Sequence, residues 1–195
     1  MILKIFYQKK KGAGFYIWKY DIIKQKLNEI NNNDILIYLD SGCSINKHGQ
    51  KRFYEYIDLI NKSKNPIISF QMKGLKEKTW TTKKIFEYFK INKNNDIINS
   101  DQYVGGILLM KKCDFIVNLF NQFEKLLYYD PYLITDKYND NCYPGFKQNR
   151  HDQSILSLLR KINGSIIIQD ETYFHKKWDS DGKKYPIHAR RRLIK

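Results

Sequence analysis

The sequence is poor in the features that mark several common classes of protein. It has three cysteines, Cys43, Cys113 and Cys142, far apart and forming no CxxC pair. That spacing supports neither a zinc ribbon nor a disulfide framework. No apolar run approaches the roughly 20 residues needed to span a bilayer. The opening "MILKIFYQKKKGAG" has too short an apolar stretch for a signal peptide, and its charges follow that stretch. These absences predict a soluble, cytoplasmic protein with reduced thiols. Four prolines and ten glycines are scattered along 195 residues, so no linker divides the chain and no internal repeat is visible. The expectation is one domain over 1–195, ending in a basic tail over 175–195.

What is abundant is positive charge and aromatic surface. Lysine and arginine number 35 against 20 acids, a formal charge of +15. Such a balance suits polyanions. Lys, Asn and Ile recur throughout, however, so a codon-biased composition explains the charge equally well. No RNP, zinc-finger or helix-turn-helix pattern is present, which argues against a nucleic-acid partner. Aromatics make up 15% and apolar residues 42%, enough for a sizeable core.

Periodicity predicts alternating helices and strands. Asp21 reads as an N-cap before Ile22, Ile23, Leu27 and Ile30 on one helical face. "ILIYL" (35–39) is an uninterrupted apolar run, as in a strand buried on both faces. "RFYEYIDLI" predicts a helix with Phe53, Tyr54, Ile57 and Ile60 inward. "IISF" and "GGILLM" read as strands and "KKIFEYF" as a short helix. A long helix follows Asp114, then a long loop, the helix "DQSILSLLRKI" and a last strand "SIIIQ". This alternation predicts an α/β domain with a mixed, largely parallel sheet flanked by helices. In such sheets ligands gather at the carboxyl ends of strands.

Five stretches could carry chemistry. In "YLDSGCSIN", Asp40 and Ser41 end the most buried-looking strand. Asp40 could hold a divalent cation or a ribose hydroxyl, or simply cap the next turn. In "RHDQS", Arg150, His151, Asp152 and Gln153 offer a cation, an imidazole, a carboxylate and an amide where a loop enters a helix; Asp152 could equally be an N-cap. These sequence neighbours are not a hydrolase triad, which needs groups converging from a scaffold. Gly105 and Gly106, before a strand, allow close ligand approach or form a plain turn. "GAGFYIWK" has a GxG without the third glycine of a dinucleotide loop; there Lys19 and Trp18 could line a pocket, Phe15, Tyr16 and Trp18 could equally be core, and the core suits Phe15 best. In the tail, His188 stands near Arg190, Arg191 and Arg192, which suits a diphosphate or a solvated basic end.

Taken in order, "GAGFYIWKY", "YLDSGCSIN", "WTTKKIF", "QYVGGILLMKK" and "RHDQSILSLL" resemble a group of small GT-A-type glycosyltransferase-like proteins of bacteria and large viruses. The resemblance runs from about Gly12 to about Leu193. It implies transfer of a hexose from a nucleotide-diphosphate sugar, such as a UDP-sugar, to a hydroxyl of a glycan or protein acceptor. Asp40 matches the first acid of the "DxD" signature that holds Mn²⁺ or Mg²⁺. Asp152 and Gln153 match the pair that contacts the sugars at the transfer centre and are the expected catalytic residues, with Asp152 orienting the acceptor or, in an inverting enzyme, acting as base. His188 is similar to a late histidine that completes the metal site. Lys19, Ser41, Gly105, Gly106, Arg150 and His151 are then the expected donor-binding residues. Two departures stand out. Gly42 replaces the second acid of "DxD", and only "MILKIFY" stands where a nucleotide-binding strand is expected. A degenerate GT-A relative that only binds its ligand is the alternative reading.

Overall fold

The computed structural model describes residues 11–190. The short opening "MILKIFY", which stands where the resemblance expects a nucleotide-binding strand, and the tail arginines Arg191 and Arg192 lie outside that range.

Lys11 is followed by an unusual turn. Gly12, Ala13, Gly14, Phe15 and Tyr16 all have positive φ, from 46° to 95°. The amides of Phe15 and Tyr16 reach back to the carbonyls of Lys11 and Gly12. This is one turn of left-handed helix, a conformation that costs a non-glycine residue about 1–2 kcal/mol. Helix α1 (Ile17–Glu29) follows directly. Asp21, expected at its N-cap, lies inside it, because the left-handed turn starts the helix earlier. Ile17, Tyr20, Ile23 and Leu27 form its buried face, and Ile22 is exposed.

The centre is a mixed sheet. β1 (Ile35–Leu39) pairs antiparallel with β5 (Ile107–Lys111), with Leu39 opposite Ile107. β3 (Ile68–Lys76) pairs parallel with β6 (Ile166–Gln169) and antiparallel with β4 (Asp101–Tyr103). A bridge from Ile67 to Met110 ties β5 to the start of β3. A small ladder joins β2 (Ser44–Ile45) to β7 (Ile187–His188), also antiparallel. The expected mixed α/β character is present. The parallel majority is not: β3–β6 is the one parallel pair among the described strands. β1 also departs from expectation, since β5 is its only partner among those strands and Ile37 is exposed. β5 is the strand buried on both faces.

Three short helices, α3 (Glu77–Trp80), α4 (Lys83–Tyr88) and α5 (Asp96–Asn99), lie between β3 and β4. Successive β5 residues feed two cores, as the strand alternation requires. Leu108 and Met110 join the core built by α1, α6 (Asp114–Tyr129) and α7 (Asp152–Asn163). Ile107 and Leu109 join Tyr56 and Ile60 of α2 (Gln50–Lys62), with Phe70 and Ile187. Tyr56, not Tyr54, is the inward tyrosine of α2. The chain beyond 175 is not simply a solvated tail: Ile187 and His188 are buried. No helix of the described residues is long and apolar enough to cross a membrane.

Candidate functional site

The antiparallel register of β1 and β5 builds the site. With Leu39 opposite Ile107, Asp40 falls opposite Gly106, and its amide donates to the Gly106 carbonyl at 2.8 Å. Tyr38, two residues earlier on the same strand face, donates its hydroxyl to Asp40 Oδ1 at 2.8 Å. Asp152 arrives as the first residue of α7, and Lys19 comes from the first turns of α1.

Lys19 joins the two acids that the sequence placed 112 residues apart. Its Nζ lies 2.6 Å from Asp152 Oδ2 and 3.3 Å from Asp40 Oδ1. It also donates to the Gly105 carbonyl at 3.3 Å. The Lys19 and Asp152 side chains are only 4% and 7% exposed, whereas that of Asp40 is 48% exposed. Burial pushes the Asp152 carboxyl up from its ordinary range, and Lys19 opposes that shift. Burial also works against the Lys19 ammonium, but Asp152 and Asp40 outweigh it and hold its pKa above the ordinary lysine value. The cluster is therefore an ion triad with one carboxylate open to solvent. Asp152 holds Lys19 from the interior, and Asp40 is the carboxylate of the triad that solvent reaches.

Gln153 is used inside the protein. Its Oε1 accepts from the Gly105 amide at 3.0 Å, and its Nε2 donates to Gln102 Oε1 at 2.6 Å. Gln102 in turn donates to Glu77 Oε2 at 3.1 Å. Glu77 is fully buried, receives Ser157 and Thr81 hydroxyls, and has its carboxyl pushed up by burial against the pull of Lys161. Both ends of the half-buried Gln153 amide are thus engaged within the protein, where they hold the Gly105–Gly106 turn.

His151 and Arg150 stand to the sides. His151 is buried with φ 54° and ψ −121°, a strained backbone for a side-chain residue. Its ring packs on Phe15 and Tyr16 of the left-handed turn, and its Nε2 lies 3.1 Å from Asp136 Oδ1. Asp136 also receives Lys11 at 2.5 Å. Arg150 stacks 3.9 Å over the Trp80 ring. Neither contributes an atom to the Lys19 triad. Ser41 is exposed in the turn after Asp40, and Trp18 donates its indole N–H to the Gly12 carbonyl.

His188, the second expected metal ligand, is buried and engaged by its own segment. Its Nε2 lies 2.8 Å from the Gly182 carbonyl, and its ring packs on Phe174 and Trp178. Among the described residues no three His, Cys, Asp or Glu side chains gather as a metal-binding group. The cation between Asp40 and Asp152 is the Lys19 ammonium. The residues present do not fit a metal held by Asp40 and His188. A separate cleft of about 440 Å³ begins at Ser44, four residues past Asp40, and is also lined by His48, Trp178, Lys183, His188 and Arg190.

Tyr38, Gln102 and Glu77 were not singled out by sequence. Tyr38 had a usable signal, its two-residue offset from Asp40. The others are brought in by tertiary contacts. Comparison with protein-family models, curated proteins and solved structures found no match to this chain.

Proposed function

We propose that the chain is a glycosyltransferase of GT-A-like fold that moves a hexose from a nucleotide-diphosphate sugar to a hydroxyl of a glycan or protein. The observation that carries this reading is the convergence of Lys19, Asp40, Gly105, Gly106 and Asp152 at one strand end. Those residues come from four of the stretches that carry the family resemblance. The Ser44 cleft carries two basic groups suited to phosphate charge, Lys183 and Arg190, the latter beside Asp179 at 3.4 Å. Its volume is within the usual range for small-molecule sites.

In this reading the bond between the anomeric carbon and the diphosphate breaks, and its electron pair leaves with the nucleoside diphosphate. The acceptor oxygen forms the new bond to that carbon. Its proton passes to Asp40, the carboxylate of the triad that solvent reaches. Lys19 and Tyr38 fix Asp40 in place, and Asp152 fixes Lys19.

A second reading is binding without transfer. It is favoured by the burial of Asp152 against Lys19, which leaves Asp40 as the one accessible acid of the triad. A panel of UDP- and GDP-hexoses with simple acceptors separates the two. Transfer predicts both a donor-induced rise in melting temperature and product, with Asp40→Asn lowering turnover roughly 10²–10⁴-fold. Donor binding without product or hydrolysis selects the second reading. Neither binding nor turnover with any donor sinks both.

A further inference from the structure

Three oxygens surround Lys19 Nζ: Asp152 Oδ2 at 2.6 Å, Asp40 Oδ1 at 3.3 Å and the Gly105 carbonyl at 3.3 Å. Two carboxylates and a backbone carbonyl are the oxygen donors a hard divalent cation takes. Here they close on an ammonium. Two tyrosine rings add to them, with Nζ 5.2 Å from the Tyr38 ring centre and 5.9 Å from that of Tyr16. Aromatic faces suit an organic ammonium better than a strongly hydrated divalent ion, which needs oxygens on every side.

We propose that Lys19 is a tethered cation that permanently fills the position a divalent metal would take, so that the site works on its ligand without a bound metal. The helix that carries it is anchored: Ile17, Tyr20, Ile23 and Leu27 of α1 are buried in the main core. The Lys19 side chain itself is only 4% exposed, so its ammonium is enclosed beside the two carboxylates. A divalent ion entering beside it would meet a fixed positive charge and compete for oxygens already engaged. The same arrangement explains how Gly42 is tolerated. With Lys19 bridging Asp40 to Asp152, no second carboxylate is required two residues after Asp40.

The occupancy of the site by Lys19 stands on these contacts alone; its bearing on donor binding rests on the transferase reading. The test is a Mn²⁺ titration followed by electron paramagnetic resonance and by melting temperature. Wild type is expected to show no Mn²⁺ binding that Asp40→Asn removes. Lys19→Met leaves Asp40, Asp152 and the Gly105 carbonyl without their cation, and is expected to gain a Mn²⁺ site and a Mn²⁺-dependent rise in melting temperature. Lys19→Met combined with Asp40→Asn is expected to lose that gain. Mn²⁺ binding by wild type that depends on Asp40 overturns the proposal, as does a folded Lys19→Met that binds no more Mn²⁺ than wild type. If Lys19→Met does not fold, the wild-type titration decides. The donor panel is then repeated in EDTA. A donor that binds in Mn²⁺ is expected to bind equally in EDTA, and dependence on Mn²⁺ overturns the proposal while leaving the transferase reading intact. Failure of every donor in both conditions removes that reading and leaves the Mn²⁺ titration as the judge of Lys19.

Discussion

Gly106 lies against the Asp40 carboxylate so closely that a β-carbon on Gly106 would stand 2.4 Å from Asp40 Oδ2. At Gly105 the same addition would meet Gln153, 2.6 Å from Cβ and 3.0 Å from the α-carbon. The two glycines therefore make room for different things. Gly106 admits the tip of a short side chain, and Gly105 admits the first turn of α7.

The two alanine variants are expected to part accordingly. In Gly106→Ala the carboxylate is pushed aside and the fold is kept, so ligand binding falls with little change in stability. In Gly105→Ala the obstacle includes helix backbone, and the overpacking is expected to cost about 1–3 kcal/mol. Urea unfolding, with ligand-induced melting shifts on the same samples, checks the order. Equal stability losses would contradict this geometry.

Much of the site was legible in the sequence as pieces. Asp40, the glycine pair, Lys19 and Asp152 each stood in a stretch that could hold a ligand, and they meet. What the sequence did not carry was strand direction. "ILIYL" has the composition of a central parallel strand, yet it is paired with β5 alone among the described strands and runs antiparallel to it. That direction is what brings the end of β1 to the start of β5; parallel pairing would put Asp40 and Gly106 at opposite ends. The relay from Glu77 through Gln102 to Gln153 spans three elements, and no spacing encodes it. The tail misled through composition: its lysines hide Trp178 and Tyr185, which pack on Phe174, and Ile187, which joins the second core.

His151 gives the site a pH signature in stability. Burial holds its imidazole below the ordinary 6.5, against Asp136 and with Lys11 adding to the depression. Between that lowered value and about 6.5 the unfolded chain binds more protons than the native one. Unfolding free energy should therefore rise with pH through this window and fall as pH drops below about 6.5, by at most about 1.4 kcal/mol per pH unit. Urea midpoints of wild type and His151→Asn, compared between about pH 7.5 and about pH 5.5, check the sign. The variant should lose that part of the slope.

The chain around 187 is structural. Asn46 donates its side-chain amide to the carbonyls of Lys183 and Tyr185 at 2.7 and 2.9 Å, and its backbone amide to Pro186 at 2.8 Å. The Ala189 amide donates to Thr172 at 2.7 Å, and Ile187 is 4% exposed against Tyr56 and Ile60. Ile187→Ala is therefore expected to cost about 2–4 kcal/mol. Lys184→Ala, three residues earlier and exposed, should be nearly silent, as surface substitutions usually are. Urea unfolding of the pair distinguishes a docked segment from a solvated basic tail, in which both changes would be equally small.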